Sequence, residues 1–414
     1  MFYKKFLLLI IFLCILTLLS GQSMFSPLGF VEEHFGTDNF SAGMGYTGIS
    51  SISRRNFSVI NPALLTTVKK ANFASRVDFG YTIFKDDTDS YTNKVSSIPY
   101  AVIYLPITKG MVFGLSYHEK YFYGLQTTKR DSTVSGGDYI ARNNKLGALN
   151  QLGFCLARKF GRTSFGINVN YNFGSRSNET TIDFDDEALV DYKERKEYLL
   201  DGMNLSAGFT VPISKFSFGG FLVTKLSLHS NDTYRIEYQD HSNYDWVQKS
   251  TSTYEIPMQF GFGAGWNVFK NIYIEANYRH TFWKDTNVQT MNGRNTNMLS
   301  MGLSFNPKKE FIWRFPTRVG GYYRQLSCKN DGSYIDEKAI TLGFDIPTVL
   351  QKQGRLSVSF AYGVRGSLTN NEYEDEFIQF SIGFTSSDWW RNPKDYKKDK
   401  EIPKLDPKYK QYWE

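Results

Sequence analysis

The stretch Phe165-Gly166-Ile167-Asn168-Val169-Asn170-Tyr171-Asn172-Phe173 alternates apolar with small or polar side chains without a break. Successive side chains of an extended chain point to opposite faces, so a period of two describes a strand with one greasy and one wet face. The pattern recurs. Ile272, Ile274, Ala276 and Tyr278 alternate with Tyr273, Glu275, Asn277 and Arg279. Leu356, Val358, Phe360, Tyr362 and Val364 alternate with Ser357, Ser359, Ala361 and Gly363. Met258, Phe260, Phe262, Trp266 and Val268 oppose Gln259, Gly261, Gly263, Gly265 and Asn267.

A soluble sandwich with one solvated face would alternate in the same way. Two features favour a membrane barrel. The segments run long, near the ~9–11 residues that cross a bilayer at a tilt rather than the ~5–6 of globular sheets. The links between them also alternate in length. The spacing predicts strands at 71–84, 96–105, 111–124, 149–160, 163–175, 197–211 and 214–228. The second half gives 252–268, 271–284, 296–305, 314–325, 337–346, 354–366 and 373–384, fourteen in all. Links at 106–110, 161–162, 212–213, 269–270, 306–313 and 347–353 are short. Those at 125–148, 176–196, 229–251, 285–295 and 326–336 are mostly longer and polar. Short periplasmic turns facing long outer loops are the habit of bacterial barrels with an even strand number. In hydrocarbon an open sheet edge would leave backbone groups unpaired at several kcal/mol each, so the sheet must close on itself. The last strand ends in the aromatic Phe384 after Ile378, Phe380 and Ile382.

Composition agrees. Aromatic residues make up 16% of the chain although its mean hydropathy is only −0.38. A barrel reconciles the two, because only alternate strand residues must face lipid. After the N-terminus no apolar run reaches the ~20 residues a spanning helix needs. Lys4 and Lys5 followed by an apolar run to Leu19, with Ser20 and Gly21 after it, describe a signal peptide over 1–21. Only Cys155 and Cys328 lie beyond that segment, so no disulfide framework is expected, and Cys155 reads as a small inward filler. The net charge of +7 contains no dense basic block, which argues against nucleic acid as a partner. The five histidines (His34, His118, His229, His241 and His280) are scattered, so neither an enzyme nor a metal or other cofactor is expected.

Two regions fall outside the expected barrel of 71–384. Residues 385–414 form a polar tail with Trp389, Trp390, Tyr396 and Trp413, read as disordered on the periplasmic side or as a docking peptide for an envelope partner. Trp389 and Trp390 can equally be interfacial anchors. Residues 22–70 lack alternation and carry Gly43, Gly45, Gly48 and several serines before Asn61-Pro62-Ala63-Leu64. Asn61 is a good N-cap, and Pro62 sits at the first helical position, where its missing N–H costs nothing. A short helical turn at 62–68 is therefore expected just ahead of the first strand.

A glycine-rich segment followed by Asn61-Pro62-Ala63 before a long barrel resembles the FadL-like family of outer-membrane transporters. The resemblance implies a fourteen-stranded barrel in the bacterial outer membrane with an N-terminal hatch at 22–70, through which hydrophobic or amphipathic molecules such as long-chain fatty acids cross passively. The motif evidence is confined to residues 36–67. Leu64 stands where many members have glycine, and the tail is an addition. PorV-like proteins share fold and hatch but serve protein secretion or envelope attachment through protein partners, so fold alone leaves both functions open. Either way the expected partners are outer-membrane lipid and the outer-membrane assembly machinery, with a hydrophobic small molecule in the first reading.

Alternation also nominates the lumen. With the apolar positions toward lipid, Arg76, Asp78, His118, Lys120, Glu275, Arg279, Arg318, Arg324, Asp345 and Arg365 point inward. Such charges ordinarily pair with one another and with a plug. The functional alternative gives Arg279, Arg318 or Arg324 the carboxylate of an amphipathic acid, which bidentate guanidinium geometry suits. Ala101, Ile103 and Leu105, with Phe221 and Val223, are expected on the inner face, lining a greasy pocket or packing on the hatch.

Overall fold

The computed structural model describes residues 23–25, 32–52, 58–68, 71–108, 110–132, 138–186, 189–238, 246–286, 293–307, 315–347 and 354–387. The signal-peptide reading, Trp389, Trp390 and the rest of the tail from 388 onward lie outside these residues. The fold is an all-β, fourteen-stranded, antiparallel closed barrel. Its first half comprises β1 (Asn72–Lys85), β2 (Ser90–Thr108), β3 (Met111–Ser132), β4 (Asp138–Phe160), β5 (Thr163–Phe184) and β6 (Tyr192–Ile213). Two broken strands follow: β7 (Phe216–Val223 and Leu226–Tyr238) and β8 (Trp246–Ile256 and Gln259–Phe269). The circuit is completed by β9 (Ile272–Thr281), β10 (Thr296–Phe305), β11 (Thr317–Asn330), β12 (Ser333–Pro347), β13 (Gly354–Gly366) and β14 (Glu374–Ser387). Each strand pairs with the next, and β14 closes on β1 with Ile378 opposite Tyr81 and Phe384 opposite Ser75.

The alternation sorts as the physics requires. Phe165, Ile167, Val169 and Tyr171 are exposed on the outer wall, while Asn168, Asn170 and Asn172 are buried inside. The breaks in β7 and β8 lie side by side and change which parity points inward. Phe221 is inward below the break and Leu226 above it; Gly261 and Ile256 do the same in β8. Pro257 lacks the N–H that a ladder needs at the β8 break. At the β7 break, Thr224 keeps the neighbouring strand satisfied: its N–H donates to the Leu205 carbonyl (2.9 Å) and its Oγ1 accepts from the Leu205 N–H (3.0 Å).

Two expectations need correction. Ile103, with Ala101 and Leu105, lies on the outer face; the buried inner row of β2 is Tyr100, Val102 and Tyr104. Both rows are apolar, so composition could not choose between them, and the register around Pro99 does. Second, most of the links at 125–148, 176–196 and 229–251 are strand rather than loop. β3 to β6 run 22 or 23 residues, roughly 70 Å at ~3.3 Å per residue, so β3 to β8 rise far above the membrane as a six-stranded outer sheet. Outside lipid both sheet faces can be wet, and the apolar face that marks a strand in the sequence disappears. The wall also has a seam. β2 and β3 pair only from Tyr100–His118 down to Thr108–Met111, and further out each pairs only with its other barrel neighbour. A two-residue strand, Glu32–Glu33, adds to the β3 edge there, opposite Phe122 and Tyr121.

Candidate functional site: the lumenal hatch

Residues 32–52 and 58–68 occupy the lumen. Asp38 caps a one-turn helix, Asn39–Ala42, its Oδ1 accepting the Ser41 N–H at 2.9 Å. Asn61 holds the second turn, Pro62–Thr67, as the Asn-Pro pairing predicts: its Oδ1 accepts from the Ala63 N–H (3.1 Å). Its amide also donates to the carbonyls of Ile49 (2.7 Å) in the hatch and Phe209 (3.0 Å) in β6, so one side chain ties cap, hatch and wall.

Between the two turns the backbone lies directly on wall glycines. A Cβ on Gly320 would run into the Met44–Gly45 peptide, one on Gly166 into Pro62, and one on Gly219 into Ile49. Gly43 faces Gly343 so closely that neither can carry a side chain without movement. Gly45 is doubly constrained, with φ +69° and its Cβ direction blocked by the Gly321 carbonyl. Its N–H donates to Thr341 Oγ1 at 2.7 Å. Gly48 N–H, Ser50 N–H and Ser50 Oγ all donate to one oxygen of Glu275, at 3.2, 2.9 and 3.0 Å.

The inward arginines are engaged in the same way. Arg76 is paired with Asp78 (3.0 Å) and donates to the Thr37 carbonyl (2.7 Å). Arg279 donates to the Tyr46 carbonyl (2.8 Å) and lies over the Phe35 ring. Arg318 pairs with Asp345 (2.6 Å) under Phe40. Arg324 grips Glu337 through two parallel bonds of 2.8 Å, and Arg365 shares the same carboxylate at 2.6 Å. Arg365 also reaches Glu32 (3.4 Å) and Asp375 (3.6 Å), and Asp375 accepts from Ser23 Oγ, so the network binds the start of the hatch. His118 is inward and bonded to the His34 carbonyl (2.7 Å), and Lys120 sits at a bulge in β3.

The arginines singled out for a ligand carboxylate thus meet hatch carbonyls, aromatic rings and acids. Phe221 is buried with its ring against Gly261, and Val223 is half-buried beside the break in β7. Two lumenal cavities, beside Phe35–Arg279–Arg324 and beside Tyr46–Glu337–Arg365, measure about 30 and about 100 Å³. A pocket for a drug-sized ligand takes ~300–1,000 Å³. An apolar groove of about 660 Å³ lies instead on the outer wall, among Phe218, Phe262, Leu299 and Met301.

Sequence reasoning did not single out Glu337, Asp375 or the mutually edge-on trio Phe35, Tyr46 and Tyr322 (centroids 5.0–5.6 Å apart). Glu337 could have been found, because it continues the inward row Ala339, Thr341, Gly343, Asp345. The two hatch rings, in a segment without periodicity, carry no such mark.

Solved structures of similar shape share little sequence with this chain. A Pseudomonas aeruginosa FadL homologue superposes with TM-score 0.62 at 13% identity, covering 86% of this chain and 99% of its own. The Ralstonia pickettii toluene transporter TbuX gives 0.58 at 14% identity (85% and 98% covered). The Pseudomonas putida toluene transporter TodX gives 0.58 at 13% identity (86% and 100% covered). At such identities the likeness establishes the fold, a FadL-like barrel consistent with an outer-membrane location. No curated protein matches the chain. The family model described as BamG matches residues 1–397, nearly the whole length, and the chain belongs to the BamG family.

Proposed function

We propose that this protein is a bacterial outer-membrane barrel kept closed by its own hatch, acting through protein partners beside the machinery that assembles outer-membrane barrels. One observation carries the reading: the lumen is filled by hatch backbone pressed on wall glycines, and the inward arginines are engaged by that hatch and by Glu337 and Asp345. A conduit for a fatty acid would need an apolar chamber and a free cation, whereas the lumenal cavities beside these arginines are small and charged. The family's name supports the choice of partner. No catalytic role is assigned.

The test is cross-linking in intact cells followed by purification of the tagged protein from the outer membrane. Assembly-machinery subunits recovered in stoichiometric amounts are expected. Their absence, together with faster swelling of proteoliposomes in an apolar solute, would overturn the proposal.

Passive uptake of apolar molecules stays as the second reading because of the seam between β2 and β3, where Glu32–Glu33 pairs with the β3 edge. A cross-link between cysteines introduced at Glu33 and Tyr121 would lock the hatch to that edge of the seam; if uptake needs the hatch to leave the seam, the lock abolishes it.

A further inference from the structure

The outer sheet has two faces of different chemistry. On the face continuous with the outer wall, charges meet partners: Arg142 with Asp183, Arg130 with Asp185, Lys193 with Glu179 (3.0 Å) and Arg195 with Glu197 (2.5 Å). This is a solvated, self-neutralised surface.

The face continuous with the lumen differs. The pairing register stacks its residues in rows. One row across β3 to β7 reads Tyr123, Gly147, Arg176, Tyr198, Asp232, and the next outward reads Leu125, Lys145, Asn178, Lys196, Tyr234. Gly147 leaves the Arg176 guanidinium room to lie 4.0 Å over the Tyr123 ring. Arg176 Nη2 donates to Tyr123 OH (2.9 Å), which in turn donates to Asn178 Oδ1 (2.9 Å). The guanidinium is therefore fixed, yet its Nε is buried without a hydrogen-bond partner. Lys145 is half-buried one row away. Among the described residues neither cation forms an ion pair; Lys196 has Glu194 (3.0 Å), and Asp232 accepts from Ser230 and Ser252. Burial and then the neighbouring Arg176 hold the Lys145 ammonium below its usual range. Two like charges side by side are unfavourable until an anion joins them. Around them Tyr198 and Tyr254 sit edge to face, as do Tyr234 and the exposed Trp246, with amides of Asn143, Asn178 and Gln248 on the same face.

We propose that this inner face of the outer sheet binds an acidic oligosaccharide displayed outside the cell, its carboxylate held by Lys145 and Arg176 and its rings laid on Tyr234 and Trp246. A guanidinium held flat over a ring suits a planar oxyanion. Broad ring faces flanked by amides suit sugar rings, which present C–H groups to the ring and hydroxyls to the amides. A protein ligand would want a deep pocket for an anchoring side chain, and these rows are open and shallow. The lumen-side parity turns the site away from the surrounding bilayer, which favours a free saccharide over the headgroup of an adjacent lipid.

Calorimetry on the full-length protein in detergent, with a galacturonate tetramer as the probe, tests this. Binding is expected, weakening with added salt, and falling about tenfold or more in Lys145→Ala and in Arg176→Gln. Trp246→Ala is expected to weaken it as well, with heat-modifiable gel mobility confirming the barrel in each variant. Equal binding of the methyl-esterified tetramer, equal binding of tetraglutamate, competition by inorganic phosphate alone, or no binding would each overturn the proposal.

Discussion

The lower barrel and the outer sheet are built from the same strands, and their inward faces have opposite fates. Below, small and charged groups on the inner face of β9 to β14 meet the hatch: Glu275 takes Gly48 and Ser50, and Gly320 and Gly343 take peptide backbone. Above, the inner face of β3 to β8 carries aromatic rings, and Arg176 and Lys145 form no ion pair among the described residues. A wall of glycines and buried salt bridges fits a permanent internal partner. A wall of rings and unpaired cations fits an external one. The difference teaches that the hatch belongs to the architecture, while ligand recognition belongs outside the membrane.

The comparison is broken most severely by giving the lower wall a side chain. Gly320→Leu places a branched group where the Met44–Gly45 peptide lies, and neither backbone can yield in a close-packed interior. The hatch is expected to leave the lumen while the barrel closes as before. Planar-bilayer recordings would change from silent to a steady conductance, and limited proteolysis would then cut within 32–68. Second in size is Glu337→Gln. It leaves Arg324 and Arg365 buried without their shared counter-charge, a loss of about 3–5 kcal/mol for a broken buried pair. Urea unfolding from lipid vesicles would read it as a lower midpoint with an unchanged slope.

These two regions were unequally legible in the sequence. Alternation in 163–173 and 271–279 revealed the lipid-facing wall and the inward Glu275 and Arg279, because the bilayer imposes a strict period of two. The Asn61-Pro62 pair announced the hatch turn, since a cap followed by proline has a local physical meaning. The outer sheet was invisible. Thr180, Glu194 and Thr233 lie in water-exposed strands, where no solvent contrast forces alternation and a polar strand reads as a polar loop. Ile103 lies on the face opposite to the expected one for a related reason: both rows of β2 are apolar, and its register depends on pairing that composition does not record. Whether the inward arginines would meet a ligand or the hatch was likewise undecidable, because their partners lie up to 333 residues away, as with Glu32 and Arg365.

A smaller effect sharpens the hatch side. Asn61→Ala removes the cap of the Pro62–Thr67 turn and two amide bonds to carbonyls, but leaves the glycine contacts in place. The expected cost is about 1–2 kcal/mol, seen as faster amide exchange in the hatch without conductance. The smallest effect should come from the outer face of the outer sheet. Arg142 and Asp183 are paired there in open solvent, and such pairs are worth about 0–1 kcal/mol. Arg142→Ala should therefore leave the unfolding midpoint almost unmoved, and saccharide binding unmoved as well. Arg176→Gln, on the other face of the same hairpin, should also spare stability but weaken binding about tenfold or more. Two cationic substitutions in neighbouring strands, alike in stability and opposite in binding, would separate the two faces by function; if Arg142→Ala weakened binding equally, net charge rather than the inner face would be the recogniser.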